Sequence, residues 1–526
     1  MKGNILWVDD EIDLLKPHIL LLEGRGYAVH TAMSGEDALA MAQAETPDLV
    51  FLDENMPGMG GLETLEALKA QHPDLPVVMV TKSEEEDLME QAIGKKISDY
   101  LTKPVNPTQV LIAVKKFLEG RQIVGEAVSR DYTQEFARTA VEMMNARNAA
   151  DWTQLYAKLV GWEMELDEHG GLGLKQTLLD QKREMKSEFG KFVERHYQSW
   201  VNTIYVESNR DERPAMSPDL IDQWVLPPLQ SEVKQNVVFF VIDCLRLDQW
   251  IIMENELRNL FKITRDYHFG ILPSATPYAR NAIFSGLFPS EFGKLFPLTW
   301  SSSDDDENSH NRDEAAMLQK LLERKRIKLR QEPKYIKIID REYGAGIADN
   351  ITQHAKNHLT AIVVNFVDML AHTRSDSPIL KEIAPDESAY RSLTRSWFLH
   401  SSLFDMFKAL ATVPNLKIIV STDHGSIRSL RGAKVLGDRE TSTSLRYKYG
   451  RNVKAEEKQA MIIKRPEDFK LPHRGAASNY IIAKEDYYFI YPTDYHKYLN
   501  YYRDTFQHGG ISMEEMILPV VTLEGK

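Results

Sequence analysis

Cysteine is almost missing from this chain. Cys244 is the single one among 526 residues, so neither an intrachain disulfide nor a cluster of thiolate metal ligands can form. Long hydrophobic runs are missing too: no stretch of about 18 uncharged apolar residues occurs, and the opening MKGNILWVDDE lacks the apolar centre of a signal peptide. Positive charge is in deficit. Lys and Arg number 64 against 77 Asp and Glu, a net −13, which disfavours general binding to nucleic acid or to anionic membranes. What is present is a globular composition, 43% hydrophobic and 27% charged, spread over a length that calls for several cores at ~100–200 residues each. These features describe a soluble, cytoplasmic, multidomain α/β protein with no membrane partner.

Residues 1–120 alternate short apolar runs with amphipathic stretches. ILWVDD, YAVHTA, DLVFLD, PVVMVT and ISDYLT are each followed by a helical pattern, the fourth being EEDLMEQAI and the last PTQVLIAVKKFLEG. Five strands alternating with five helices imply a parallel sheet covered on both faces, and in such sheets chemistry collects at the carboxyl ends of the strands. Those ends hold Asp9, Asp10, Asp53, Thr81 and Lys103, the last before Pro104. Clustered carboxylates repel unless a hard cation such as Mg²⁺ lies among them. One carboxylate can then accept a phosphoryl group while an ammonium and a hydroxyl steady its oxygens.

This segment resembles the receiver domain of response regulators, a flavodoxin-like five-stranded parallel sheet. The resemblance implies that Asp53 is the phosphoacceptor, that Asp9 and Asp10 with Asp53 hold Mg²⁺, and that Thr81, Lys103 and Tyr100 form the switch. A histidine kinase is then the implied donor. Charge added at Asp53 alters the face made by the fourth helix, fifth strand and fifth helix, the face through which receivers dimerise.

Between 121 and 206 Ala, Leu, Glu, Lys, Met and Trp recur at helical spacing, interrupted at HGGLG (His169–Gly173). About three amphipathic helices in a small bundle are expected, with Trp152, Trp162 and Trp200 as core anchors. Residues 207–235, with DERPAMSPD and LPPL, read as a linker.

From 236 onward a second set of potential ligands appears. VVFFVI stops at Asp243; Thr276 opens a helix containing Arg280 after the turn PSATP; AIVVNFVDMLAH reads as a strand ending at Asp368, with His372 one helical turn further on; LKIIVSTDHG delivers Asp423 and His424; and DTFQHGG places His508 before a Gly-Gly turn. A hydroxyl at a helix start suits phosphate. Mixed His/Asp ligation favours Zn²⁺, with Mn²⁺ as the alternative, over the all-oxygen shell of Mg²⁺. Two such ions suit in-line displacement at phosphorus.

The series Asp, Thr, Asp-x₃-His, Asp-His, His resembles the alkaline phosphatase superfamily, and within it the PglZ-type domain, over about 236–526. Position by position, the resemblance implies Thr276 as nucleophile, its oxygen beside a Zn²⁺ held by Asp243, Asp423 and His424, and a second Zn²⁺ held by Asp368, His372 and His508. Ser274 is the weaker nucleophile and His496 a poor ligand.

The stretch 428–474 carries 13 Lys or Arg against 6 Asp or Glu. Its SLRYKYGRN offers Arg446, Lys448 and Arg451 to phosphates and interleaved tyrosines to bases, with Arg280 as a further substrate contact. A solvated basic loop is the alternative. SSSDDDENSHNRDE (Ser301–Glu314) reads as an acidic surface loop.

The order of receiver, helical bundle and PglZ-type domain resembles the PorX-type response regulators of Bacteroidetes, linked to type IX secretion. This implies a homodimer formed on phosphorylation and a zinc-dependent phosphodiesterase acting on oligonucleotide or cyclic-oligonucleotide substrates. It also implies partners in secretion control, including an extracytoplasmic-function sigma factor. The alternative is a metal-bound module that regulates through protein contacts alone. Specific DNA binding is not expected, because no helix-turn-helix with a basic recognition helix follows the receiver.

Overall fold

The computed structural model describes residues 2–82, 97–169, 172–231, 235–297, 311–437, 444–473, 478–493 and 495–526. The chain divides into two compact units, Met1–Tyr132 with Glu168–Gly171, and Thr133–Asp167 with Leu172–Lys526. In the first, β1 (Asn4–Val8), β2 (Ala28–Ala32), β3 (Leu49–Asp53), β4 (Val77–Thr81) and β5 (Asp99–Thr102) form an all-parallel sheet in the order β2-β1-β3-β4-β5. Every residue of β3 and β4 is buried, as continuous apolar runs require when both faces are covered. Side chains alternate between two cores, Trp7, Phe51, Val78 and Val80 on one face and Leu6, Val50, Leu52 and Val77 on the other. The expected fourth helix, EEDLMEQAI, lies outside the described residues.

Three long helices follow, Gly120–Asn145, Ala149–His169 and Leu172–Asn202, in agreement with the helical periodicity. Trp152 and Trp200 are buried, and both pack on the ring of Phe192 at 5.7 and 5.5 Å.

The segment read as a linker is packed instead. Met216, Leu220, Ile221, Val225, Leu226 and Leu229 are buried in short helical turns, since an apolar residue every three or four positions gives even a Pro-rich segment a face to bury.

The rest of the second unit is built on a six-stranded mixed sheet. In chain order its strands are β6 (Asn236–Ile242), β7 (Phe261–Phe269), β8 (Lys334–Ile338), β9 (Leu359–Val364) and β10 (Leu416–Ser421). After the short strands β11 (Ile427–Ser429), β12 (Arg431–Lys434), β13 (Tyr447–Arg451), β14 (Ala460–Ile463), β15 (Ser478–Ala483), β16 (Tyr487–Ile490) and β17 (Thr505–Gln507), β18 (Ile517–Gly525) returns to it. The order is β7-β18-β10-β6-β9-β8. The four strands from β10 to β8 run parallel, so their carboxyl ends share one edge. No helix among the described residues is long and apolar enough to cross a membrane.

The bundle helices meet the sheet domain through buried charge. Arg391, on the Glu387–Leu399 helix, donates to Glu163 (3.1 Å) and Asp248 (3.0 Å) and pairs with Asp167. Lys182 meets the other oxygen of Glu163 at 2.5 Å, and Arg246 forks onto Asp248 at 3.0 and 2.6 Å. Against its burial, Lys182 and Arg391 hold Glu163 down at about 2. Removing one partner of such a network leaves buried charge uncompensated, at a cost of about 3–5 kcal/mol. Arg391→Met should therefore destabilise the second unit by an amount in that range, seen as a lower urea midpoint of unfolding read by tryptophan fluorescence.

Candidate metal centres

In the receiver unit, β1 delivers Asp9 and Asp10 beside the end of β3, where Asp53 is its last, buried residue. Ligand oxygens of the three lie within 4.8 Å of one another. Lys103 Nζ bridges Asp9 and Asp53 at 2.8 Å each. Burial pushes the Asp53 carboxyl above its ordinary value, against the pull of Lys103. Thr81, ending β4, donates to Glu54, a partner the sequence did not single out. Tyr100 is 43% exposed on β5.

The second cluster sits where the parallel strands of the large sheet end. Asp243 follows β6 directly, and Asp423 stands two residues beyond β10. Asp368 is placed differently from expectation. β9 stops at Val364, and Asp368 lies in the first turn of the helix Phe366–Asp376. The i, i+4 relation to His372 is therefore wholly helical, which stacks the two side chains on one face. Thr276 opens the helix Thr276–Ser285 as expected and is buried. The structure gathers two adjoining groups, Asp243–Asp423–His424 and Asp368–His372–His508, each with ligand atoms within 4.8 Å. The rings of His424 and His508 stack at 4.3 Å, joining them.

Backbone constraints hold this arrangement. A Cβ on Gly425 would lie 1.9 Å from the Glu514 carbonyl oxygen, so His424 can be followed only by glycine at this approach. Gly509, after His508, has φ +113°, a conformation that side chains resist.

The hydrogen bonds leave one oxygen of each aspartate open. Asp243 Oδ2 accepts from Arg280 at 2.7 Å, and Asp423 Oδ1 accepts from the amides of Cys244 (3.3 Å) and His424 (3.1 Å). Asp243 Oδ1, Asp423 Oδ2 and Asp368 Oδ1 are buried without a hydrogen-bond donor. They face imidazole Nε2 atoms at 3.6, 3.9 and 3.4 Å respectively, longer than the ~2.7–3.2 Å of a well-formed hydrogen bond. Two ligands at 2.0–2.1 Å from a tetrahedral ion are ~3.3 Å apart, so these spacings fit side chains arranged around cations. His424 Nδ1 lies 3.1 Å from the Gly425 carbonyl, which can only accept, so Nδ1 carries the proton and Nε2 is left bare. That is the form a metal ligand needs, and Nε2 lies 2.9 Å from Thr276 Oγ1.

Electrostatics agree. Burial and then Asp423 push Asp243 up to about 8, with Arg280 opposing, and burial pushes Asp423 up to about 6. Burial also opposes the charge on Asp368, but His372 and His508 outweigh it and hold the carboxyl below its usual range.

Other expected substrate contacts are committed elsewhere. Arg280 is buried, with Nη1 on Asp243 (2.7 Å) and Nε on Glu314 (2.6 Å), so it neutralises ligands rather than waiting for substrate. SLRYKYGRN is largely a core strand rather than a nucleic-acid face. Arg446 is fully buried on Glu515, Tyr447 packs edge-on against Tyr278 at 5.7 Å, Lys448 is buried with its ammonium over Tyr491 at 5.1 Å, and of its three basic residues only Arg451, at the strand end, is exposed. A basic residue with a strong internal partner reads in sequence like a solvated one. Ser274 donates to the Gly510 carbonyl at 2.7 Å, and His496 is exposed on the helix Tyr495–Tyr502.

Of the segment read as an acidic surface loop, residues 301–310 lie outside those described. Asn311 and Glu314 are buried against Arg280 and Thr276, with Asn311 Nδ2 3.3 Å from the Thr276 carbonyl and 2.8 Å from Glu314. Both were missed, because nothing in an Asp-rich run marks which polar residue turns inward.

A family model of the BREX system PglZ alkaline phosphatase-like domain matches residues 220–523, more than half of the chain. The chain belongs to the PglZ family. Ahead of the PglZ domain, residues 5–115 match the response regulator receiver domain and 122–201 the PorX response regulator linker domain; this is the order of a PorX-type regulator. Among curated relatives, the chain is 38% identical over 125 residues to the alkaline phosphatase synthesis transcriptional regulatory protein PhoP of Bacillus subtilis, covering 23% of this chain and 51% of that one. It is 39% identical over 122 residues to the alginate biosynthesis transcriptional regulatory protein AlgB of Pseudomonas aeruginosa, covering 23% and 27%. The chain thus spans about half the length of the first relative and about a quarter of the second. Similar solved structures include the chemotaxis protein CheY4 of Vibrio cholerae (31% identity, 22% of this chain and 98% of that one, TM-score 0.22). The receiver domain of NtrX from Brucella abortus is another (34%, 22% and 98%, TM-score 0.21). PglZ-type and receiver domains are metal-binding folds, and a receiver takes its phosphoryl group from a donor such as a histidine kinase.

A carboxyl whose pKa in the folded state exceeds its unfolded value stabilises the fold below the unfolded pKa and loses that contribution as pH rises through the folded one. Between pH 6.5 and 8 Asp243, at about 8, dominates; His268, pressed down to about 4 by burial, is neutral in the folded state and sheds only the remaining fraction of a proton in the unfolded one, a smaller opposing contribution. The metal-stripped PglZ domain should therefore melt at a lower temperature at pH 8 than at pH 6.5. Asp243→Asn should flatten that slope, and so should saturating Zn²⁺.

Proposed function

We propose that this chain is a cytoplasmic response regulator in which a kinase-phosphorylated Asp53 promotes dimerisation and gates a zinc-dependent phosphodiesterase. Its substrates are oligonucleotide-type phosphodiesters, linear or cyclic, and its physiological output is control of type IX secretion, with a sigma factor among its partners. The observation that carries the reading is the placement of one buried hydroxyl, Thr276, against two adjoining Asp/His groups with open carboxylate oxygens.

Asp243, Asp423 and His424 would hold one Zn²⁺ beside Thr276, and Asp368, His372 and His508 the other; Asp9, Asp10 and Asp53 would hold Mg²⁺. Divalent ions bound there lower the pKa of a bound hydroxyl and neutralise phosphoryl oxygens. The chain's own residues do the rest. Arg280 secures Asp243 by Oδ2 and leaves Oδ1 turned to the site. The start of its helix, at Thr276, presents the positive end of the helix dipole to an incoming anion. Thr276 Oγ1 attacks phosphorus and gives up its proton to solvent, an O–P bond forms, the ester O–P bond opposite breaks, and the departing alkoxide takes a proton from solvent; water then attacks phosphorus and loses a proton, the Thr276 O–P bond breaks, and Oγ1 regains its proton. In the receiver, Lys103, now paired to Asp9 and Asp53, would turn to the phosphoryl oxygens, and Thr81 would leave Glu54 for them.

Thr276→Val should reduce hydrolysis of bis(p-nitrophenyl) phosphate by at least 10³-fold, the scale of losing a nucleophile, while zinc content by elemental analysis stays at the wild-type level. Retained turnover would exclude this nucleophile. Beryllofluoride should shift the wild-type chain toward dimer in light scattering and raise turnover; Asp53→Asn should do neither.

A further inference from the structure

The row of strand ends does not stop at the metal-ligand groups. β10 leads to Asp423, β6 to Asp243, β9 to Asn365 and β8, at the sheet edge, carries Lys337. Register places them on one face: Lys337 pairs with Val363, Val363 with Val241, and Val241 with Ser421. Two residues on from the last three come Asn365, Asp243 and Asp423, on the same side of the pleat. Along β8, Ile336 and Ile338 enter the core on the opposite face. Tyr335, facing the same way as Lys337, reaches Glu314.

Lys337 is an unusual cation for such a place. It is half-buried, yet no carboxylate lies within ion-pair distance among the described residues. Its one hydrogen bond is a long one, 3.4 Å to the carbonyl of Asn311, the residue whose side chain touches the Thr276 carbonyl. Burial depresses its pKa, although Glu314, Asp243 and Asp423 are near enough to oppose this. Arg280, between Lys337 and the ligands, is already neutralised by Asp243 and Glu314 and reaches Asn365 at 3.3 Å. Among the described residues the site therefore has one half-buried cation with no carboxylate in ion-pair range, two strands from Asp243, or ~10 Å at ordinary strand spacing. A four-carbon stem brings its ammonium part of that way back.

Resting on the phosphodiesterase reading above, we propose that Lys337 is a substrate-specificity residue: it binds the phosphate adjacent to the scissile one, so that the site prefers chains of two or more phosphates over a single diester. Asn365 flanks that subsite: its Oδ1 accepts from Arg280, and its amide nitrogen can donate to a phosphate without adding charge. This offset also explains why the cation is a flexible lysine: an adjacent phosphate varies in position with sugar and base conformation, and a point charge follows it better than a fixed fork.

The test uses the full chain loaded with Zn²⁺, with bis(p-nitrophenyl) phosphate as the one-phosphate substrate and a 5′-phosphorylated tetradeoxyadenylate as the multi-phosphate substrate. Lys337→Met should raise KM for the tetranucleotide about tenfold with little change in kcat. Its loss on the chromogenic diester should be several-fold smaller. The slope of log kcat/KM against log salt should become shallower by about 0.7, one phosphate contact on a single strand. Lys337→Arg should restore most of the affinity. Equal losses on both substrates, a loss in kcat, or no change on the tetranucleotide would each overturn the subsite. A wild-type chain that turns over neither substrate would instead sink the phosphodiesterase reading, and the subsite with it.

Discussion

Everything in the PglZ domain is arranged around the repulsion among three clustered carboxylates, two of them buried and one half-buried. Asp243, Asp423 and Asp368 come from three different elements; Arg280 offsets the first two, and His372 and His508 offset the third. Packing like charges in a low-dielectric interior is costly unless something neutralises them, and here the fold meets the cost in two ways. Part of the compensation is permanent, through Arg280 and the amides of Cys244 and His424. The remainder is left open, as one undonated oxygen on each aspartate turned to an imidazole nitrogen. A protein stabilised only by its own contacts would have filled those positions with donors.

The supports of this site extend into the linker helices. Arg246 stands three residues after Asp243 and grips Asp248, which shares Arg391 with Glu163. On the other side, Lys186 pairs at 2.8 Å with Glu514, whose backbone carbonyl abuts Gly425 next to His424. Both ligand-bearing loops are thus tied, within a few residues, to the helices of the PorX-type linker domain. Those helices and the sheet domain form a single compact unit, so a rearrangement of buried charges in the helices would be felt at the ligands.

Most of the architecture was legible in the chain. The receiver strands are read from their apolar runs because a sheet covered on both faces tolerates little else, and the chemistry-bearing residues fall immediately after those runs. The same logic located Asp243 and Asp423. It misplaced the end of β9, since NFVDMLAH continues an apolar strand into an apolar helix face with no breaker between them. It also overvalued the basic segment around Arg446, whose charge is cancelled by Glu515, 69 positions away. Asn311, Glu314 and Lys337 went unnoticed because their significance is relational, a matter of which strand lies next to which.

By itself, then, the order of residues determined the sequence of domains, most of the strands, and which side chains are candidates for metal binding and nucleophilic attack, because periodicity and side-chain type are local properties. Only the tertiary structure decided which of those side chains share a site, which arginines are already spent on internal carboxylates, and which lysine has no carboxylate in ion-pair range among the described residues. Strand order and register bring residues hundreds of positions apart within hydrogen-bonding distance, and charge balance in a buried site depends on distance in space rather than along the chain.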